Sequence, residues 1–264
     1  RTRRNVVKMG AILVSVAAAQ VAAANPGNGN QNGNGDGGNG KHKGWGGDPQ
    51  CLLRGTTITT ADGDRKIEDL KIGDVLPTMF GGARPIRWIA RYPYKKSDPA
   101  KPWVKSALPI RIARSALAPN VPENDLFVTR WHALLLDGLL IEAGNLINGT
   151  TIERYEAREY DELEYFHIKL DSHDVIYAEG APVDTMLNVE ESAVNFAEYV
   201  RLYGVPNAEE TRRAPYVTYG GGRGELRSRM RSAISPWLDW REPVDVIRDR
   251  LEERALSRQL DLVG

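Results

Sequence analysis

The sequence is almost without cysteine: Cys51 is the only one in 264 residues. A disulfide scaffold is therefore excluded, and so are zinc sites built on cysteine pairs. Net charge is missing too. Lys plus Arg and Asp plus Glu total 35 each, so no overall field draws the chain to nucleic acid or acidic lipid, and no nucleic-acid partner is expected. A Gly-x-Ser-x-Gly element is absent, which leaves a conventional serine hydrolase with little support. The histidines His132, His167 and His173 have no metal-ligand spacing, so no metal and no other cofactor is expected. Long apolar runs are lacking as well. The stretch Met9 to Val21 is short for a bilayer crossing, and no stable membrane span is expected.

What is present begins with a targeting segment. Arg1, Arg3, Arg4 and Lys8 form a positive region, an Ala-rich apolar stretch follows, and Ala22-Ala23-Ala24 offers small residues for cleavage. Residues 1–24 thus read as a signal peptide. Thr2-Arg3-Arg4-Asn5-Val6-Val7-Lys8 partly matches the twin-arginine export motif, and an ordinary signal with two adjacent arginines fits as well. Either route implies a bacterial protein exported from the cytoplasm, periplasmic or secreted. Residues 25–50 are rich in Gly and Asn with almost nothing apolar. Such a segment cannot offset its ordering entropy and reads as a disordered linker. A calcium-binding glycine repeat is the weaker alternative, because no apolar position recurs between the glycines. His42 falls in this linker.

From Cys51 to about Asn188 the texture is one of short strands and turns. Cys51 to Thr60 reads as a strand, Asp62-Gly63 as a hairpin turn, and Ile67 to Leu76 as a return strand kinked at Gly73. Gly81-Gly82 is a turn before a strand at Pro85–Ile89, and Pro109–Ile112, Leu126–Thr129 and Leu134–Leu136 repeat the texture. Asp137-Gly138 turns the chain, and Tyr165–Leu170 and Val175–Ala178 close the series. Many short strands at this spacing predict a mainly β fold, a compact all-β domain. Tyr92 to Lys105, with its Pro and Lys, reads as an exposed insertion. Residues 189–264 read as a helical C-terminal extension, with a helix over 192–203, a loop at Tyr219–Gly224 and a last helix starting near Pro243. That helix places Val244, Ile247, Leu251 and Ala255 on one face, which predicts packing on the β domain.

The chemistry-bearing residues recur in a definite order. Cys51 opens the folded domain immediately after the linker, so its sulfur is within reach of the Gln50 carbonyl. Thr129-Arg130-Trp131-His132 follows a strand, and His167-Ile168-Lys169-Leu170-Asp171-Ser172-His173 runs on to Ala178-Glu179-Gly180. The opening Cys-x-x-x-Gly-Thr-x-Ile-x-Thr, the Ile67–Val75 segment, the Thr-x-x-His and the late His173–Gly180 stretch stand in this order. Together they resemble the Hint family, the self-processing domain shared by hedgehog proteins and inteins. Pro85–Ile89 and Leu146–Thr150 resemble its bacterial branch. The resemblance covers roughly half the chain, about residues 51–188.

The resemblance implies a horseshoe-shaped Hint-like fold and a reaction in which Cys51 attacks Gln50. The scissile bond is Gln50–Cys51, and the acyl group moves from nitrogen to sulfur. His132 would protonate the departing Cys51 nitrogen and first help to deprotonate the thiol, since an imidazole titrates near neutrality. Thr129 would supply a hydroxyl to the scissile carbonyl or orient His132. His173 corresponds to a late histidine that assists cleavage at the C-terminal end. His167 is either part of the site or a hydrogen-bonding strand residue. Inteins close with a His-Asn pair, whereas Gly180-Ala181-Pro182-Val183-Asp184-Thr185 has neither residue, so splicing is not expected. The substrate is then the protein's own N-terminal segment, and the acyl acceptor is unspecified, with water as the default. The alternative is a catalytically silent secreted binding or assembly module that keeps the Hint fold.

Overall fold

The computed structural model describes residues 49–96, 98–206, 217–218 and 242–263, all within one unit, Lys43–Gly264. The signal segment, all but the last two residues of the linker and the Tyr219–Gly224 loop lie outside the described residues. The strand signals resolve into β1 (Leu52–Leu53), β2 (Thr57–Thr60), β3 (Gly63–Lys66), β4 (Val75–Thr78), β5 (Gly82–Pro85), β6 (Trp88–Lys95) and β7 (Ile110–Ile112). They continue as β8 (Leu126–Val128), β9 (Ala133–Leu136), β10 (Leu139–Glu142), β11 (Ile152–Arg154) and β12 (Glu162–Lys169). The last are β13 (Val175–Ala178), β14 (Ala181–Asp184) and β15 (Val217–Thr218). Helix α1 spans Phe196–Tyr203 and α2 spans Pro243–Val263.

Two sheets organise these strands. One has the order β11-β7-β8-β1-β12-β6 and the other β15-β10-β9-β14-β13-β2-β3, with β4-β5 as a separate hairpin. The pairing of β10 with β15 is parallel; the other strand pairings among the described residues are antiparallel. The mainly β architecture with a C-terminal helix therefore holds. The stretch read as a single strand from Cys51 is two strands in different sheets. The chain crosses over at Gly55, whose φ of 88° is a conformation that side chains with a Cβ rarely adopt. The return strand expected over Ile67–Leu76 is likewise interrupted. Ile67–Asp69 forms a single 3-10 turn that buries Ile67 before β4 begins. Pro85 ends β5, and Ile86-Arg87 separates it from β6 rather than belonging to one strand.

Residues Tyr92–Lys105 are exposed over much of their length, but two buried aromatics anchor the stretch. Tyr92 lies inside β6, fully buried opposite Tyr165 of β12. Trp103 is buried as well, its indole N–H donating to the Ala157 and Tyr160 carbonyls. Proline and lysine mark loops on average, but Tyr92 and Trp103 supply the large apolar surface that holds this stretch against the sheet.

The larger core joins both sheets and α2. Leu52, Ile58, Leu134, Phe166, Ile176, Val244, Ile247 and Leu251 share it. The helical stripe read from the sequence is buried as expected, Ala255 included, at about 1.5–3 kcal/mol for each large side chain. A second cluster lies on the opposite face of β1, β12 and β6. It contains Cys51, Leu53, Trp88, Tyr92, Tyr165 and Met186, with Val189 and Tyr199 packed on it. Alternation along a strand explains the division, since Leu52 faces one core and its neighbours Cys51 and Leu53 face the other.

The C-terminal extension is not purely helical. It adds β15 to the edge of the seven-stranded sheet. Its first part also closes the free edge of β6: Val194 N–H donates to the Arg91 carbonyl at 3.0 Å, and Asn195 accepts from Arg91 N–H and donates to the Ile89 carbonyl. An edge strand otherwise offers unpaired backbone groups to other chains. The helix expected over 192–203 begins only at Phe196, because Ala193 to Asn195 is engaged in this edge contact.

Candidate active site

Cys51 sits at the entrance to β1, fully buried. Its carbonyl accepts from the Thr129 N–H at 2.8 Å. Its own N–H donates to Thr129 Oγ1 at 2.8 Å, and that hydroxyl donates to the Pro49 carbonyl at 2.7 Å. Thr129 therefore grips both sides of Gln50. This differs from the roles expected for it: the hydroxyl bonds the scissile N–H and the carbonyl one residue upstream, not the scissile carbonyl. The effect is to fix the plane of the Gln50–Cys51 amide in a buried place.

His132 is set beside this junction by a tight turn. Its N–H donates to the Thr129 carbonyl at 3.2 Å, and its carbonyl accepts from Ala143 N–H at 2.9 Å. Gly144 N–H donates to the Arg130 carbonyl in the same turn. A Cβ on Gly144 would lie 2.5 Å from Arg130 Cγ and 3.1 Å from that carbonyl oxygen, so the close approach requires glycine. The His132 ring is fully buried. Burial pushes its pKa below the usual imidazole value, against the Asp184 carboxylate and the nearby Gln50 carbonyl, which both favour the charged ring. Neither ring nitrogen completes a well-formed hydrogen bond. A neutral imidazole is thus held against the scissile carbonyl with its nitrogens free to bond a reacting atom.

Three further side chains complete the cluster. Asp184, at the end of β14, lies 3.6 Å from His132 Nε2 through Oδ1 and 3.8 Å from His173 Nε2 through Oδ2. Its Oδ1 also accepts from the Ala133 N–H at 3.2 Å. Burial alone would raise this carboxyl, but the His173 hydrogen bond and the three histidine rings hold it below its ordinary value. His167 stands edge-on to His132, ring centroids 5.5 Å apart. The pairing of Leu52 with Phe166 and Leu53 with Tyr165 carries Cys51 opposite His167 when the register is continued by one residue. His167 is buried with both nitrogens unpartnered, and burial followed by repulsion from His132 pushes its pKa down to about 3.

The structure thus gathers Cys51, Gln50, Thr129, His132, His167 and His173 in one place. It adds Asp184, a residue whose stretch of sequence was informative only for its missing His-Asn pair. The Cys51 thiol is pushed well up by burial, then by the Glu190 and Asp184 carboxylates. The resting nucleophile is accordingly a thiol, and a base must take its proton as it attacks. Among the described residues no group of three or more His, Cys, Asp or Glu has a metal-holding arrangement. No described helix is long and apolar enough to cross a membrane.

The buried neutral histidines carry a consequence for stability. The unfolded chain protonates them near 6.5, whereas folded His167 resists down to about 3 and His132 is shifted the same way. Stability present at neutral pH is therefore lost as pH falls below about 6.5, at about 1.4 kcal/mol per pH unit for each such group. Asp184, with its lowered pKa, adds to the loss at the acid end, while Glu190, held above its ordinary 4.5, works in the opposite sense. Urea unfolding across this range should show the decline, and His167→Met should flatten it. Equal acid sensitivity in the two proteins would show that His167 is not buried uncharged.

The Hint domain profile matches residues 50–190. The solution structure of a bacterial intein-like domain from Clostridium thermocellum is similar at 15% identity, covering 52% of this chain and 98% of that chain, with a TM-score of 0.37. A DnaB intein from Synechocystis sp. PCC 6803 is similar at 11% identity, covering 52% and 99% respectively, also at 0.37. The gp41-1 intein shows 13% identity, covering 51% and 98%, at the same TM-score. No curated protein matches the chain.

Proposed function

The chain belongs to the Hint domain family, and from that premise we propose that it cuts itself between Gln50 and Cys51. The Cys51 sulfur attacks the Gln50 carbonyl carbon, forming an S–C bond while the C–N bond breaks. His132 takes the thiol proton and delivers it to the leaving Cys51 nitrogen, so no proton is gained or lost overall. Asp184 orients His132 and stabilises the imidazolium formed between those two transfers. The thioester passes its acyl group to water or another nucleophile, without splicing. Neither a metal nor a cofactor takes part. With residues 1–24 acting as a signal, the reaction takes place outside the bacterial cytoplasm, in a periplasmic or secreted protein.

The observation that carries this reading is the pair of Thr129 hydrogen bonds to Cys51 N–H and the Pro49 carbonyl, made beside the His132–Asp184 pair. A buried threonine fixes one particular peptide bond beside a buried imidazole whose nitrogens lack well-formed partners, and an under-satisfied buried group of this kind suits chemistry at that bond. The test is intact-mass measurement during incubation with dithiothreitol. We expect a fragment ending at Gln50 and a partner beginning at Cys51.

The second reading, a silent secreted module that keeps the fold, has one observation in its favour. Burial holds the Cys51 thiol strongly toward the neutral form. An unchanged mass under every condition in which the protein stays folded would select it.

A further inference from the structure

The Gln50–Cys51 junction is held from its upstream side as well as from the domain. Pro49 is buried, whereas Gln50, which follows it, is only half-buried. The Pro49 carbonyl accepts from the Thr129 hydroxyl at 2.7 Å, and the oxygen of that hydroxyl accepts from the Cys51 N–H at 2.8 Å. Both bonds lie in the interior. The residue two positions before the proposed cut is thus part of what fixes the bond to be cut.

A hydroxyl carries one proton and two lone pairs. With its proton committed to the Pro49 carbonyl, Thr129 can only accept from the Cys51 nitrogen. That polarity suits the departing group. The nitrogen begins as an N–H donor and leaves as an amine that has gained a further proton, so an acceptor serves it at every stage. A hydroxyl free to rotate would turn its proton toward the lone pair forming on nitrogen and compete with His132 for it. The upstream carbonyl prevents that rotation.

The identity of residue 49 matters for a separate reason. A bond to a backbone carbonyl does not distinguish one side chain from another, but burial does. A buried residue should bring no polar group that lacks a partner. Proline meets that condition because it has no N–H, and its ring fixes φ at about −65°, which largely presets the direction of its carbonyl. Any other residue adds an N–H in a buried place and a backbone torsion that must be immobilised.

We propose that Pro49 is a specificity-determining residue of the reaction: the site selects a peptide with proline two positions before the cut, and the carbonyl of that proline keeps the Thr129 hydroxyl turned as an acceptor for the departing nitrogen. The proposal rests on the self-scission reading, but the fixing of the junction is measurable without cleavage.

Two measurements on the full-length protein test it, each with Pro49→Ala and Pro49→Gly. The first is the cleavage rate by intact mass. Alanine has a narrower backbone range than glycine, so the rate is expected to fall about threefold with Pro49→Ala and about tenfold with Pro49→Gly. The second is amide hydrogen exchange at residue 51 in a His132→Ala background, where the junction survives long enough to be observed. Protection of this N–H reports its bond to Thr129. It should fall about tenfold with Pro49→Gly, while protection in β13 and β14 stays unchanged. A rate in Pro49→Gly equal to or above the wild type overturns the proposal, as does undiminished protection at residue 51. An equal loss of protection throughout the domain also overturns it, because Pro49 would then serve the fold and not the junction. Absence of cleavage in the wild type counts against self-scission itself, while exchange at residue 51 still decides whether Pro49 fixes the junction.

Discussion

Cys51→Ala is expected to stop the release of residues 1–50 completely, in dithiothreitol and without it. The thioester requires a sulfur at this position, and no other cysteine exists to replace it. Alanine retains the backbone N–H that Thr129 binds and the carbonyl that accepts from Thr129, so the clamp on Gln50 stays in place. What disappears is the one group able to form a bond to the scissile carbon with a leaving tendency better than that of the amide nitrogen. The loss of a small buried side chain should leave the fold intact, at a cost of order 1 kcal/mol, and thermal unfolding checks this. Release of the same fragment from folded Cys51→Ala would trace the cut to a contaminating protease and remove the proposed chemistry.

His132→Ala should slow cleavage by roughly 10²–10⁴-fold, the range typical of a positioned acid–base group. The imidazole is the group placed to take the thiol proton and carry it to nitrogen, and the thiol cannot lose that proton unaided near neutrality. A purely structural role would be satisfied by an amide of similar size. His132→Gln should therefore be as slow as His132→Ala while unfolding at a denaturant concentration nearer the wild type. The pH profile gives a second readout. Because burial lowers the His132 pKa, the acid limb of the wild-type rate should lie below the ordinary imidazole midpoint of about 6.5. Wild-type rates in His132→Gln would relegate His132 to packing.

Much of the fold could be read in the residues, and the reasons are local. The stripe of Val244, Ile247, Leu251 and Ala255 declared both a helix and its buried face, because a 3.6-residue period survives any tertiary context. The Asp137-Gly138 turn declared a hairpin for a similarly local reason, the backbone geometry that this pair favours, and Asp62-Gly63 marked another whose two turn residues are Ala61-Asp62. Motif order identified Cys51, Thr129 and His132 together. What the sequence could not show depended on register and distance. The place of His167 opposite Cys51 follows from the pairing of β1 with β12 across more than a hundred residues, and alternation within one strand does not say which partner it meets. Asp184 lies 52 residues beyond His132 and carries no motif of its own; a carboxylate ending an otherwise apolar strand was the available signal. The reading of Tyr92–Lys105 as an exposed insertion is incomplete for a different reason. Composition there argued for an exposed loop, which much of the stretch is, and could not show that Tyr92 and Trp103 are buried.

The bond between Thr129 and the Pro49 carbonyl also revises the expected chemistry. With Thr129 engaged upstream, His132 is the group left beside the scissile carbonyl oxygen. In the proposed reaction it would serve that oxygen as the tetrahedral adduct forms, in addition to the nitrogen.

The central claim is that an acyl group from Gln50 comes to rest on the Cys51 sulfur. Hydroxylamine intercepts a thioester and leaves a hydroxamate on the acyl carbon. Incubation of the folded protein with hydroxylamine at neutral pH, followed by mass spectrometry of the N-terminal fragment, therefore reads the intermediate directly. The account predicts a fragment ending in Gln50 hydroxamate, absent from Cys51→Ala. A folded wild-type protein in which the Gln50–Cys51 bond stays intact would contradict it.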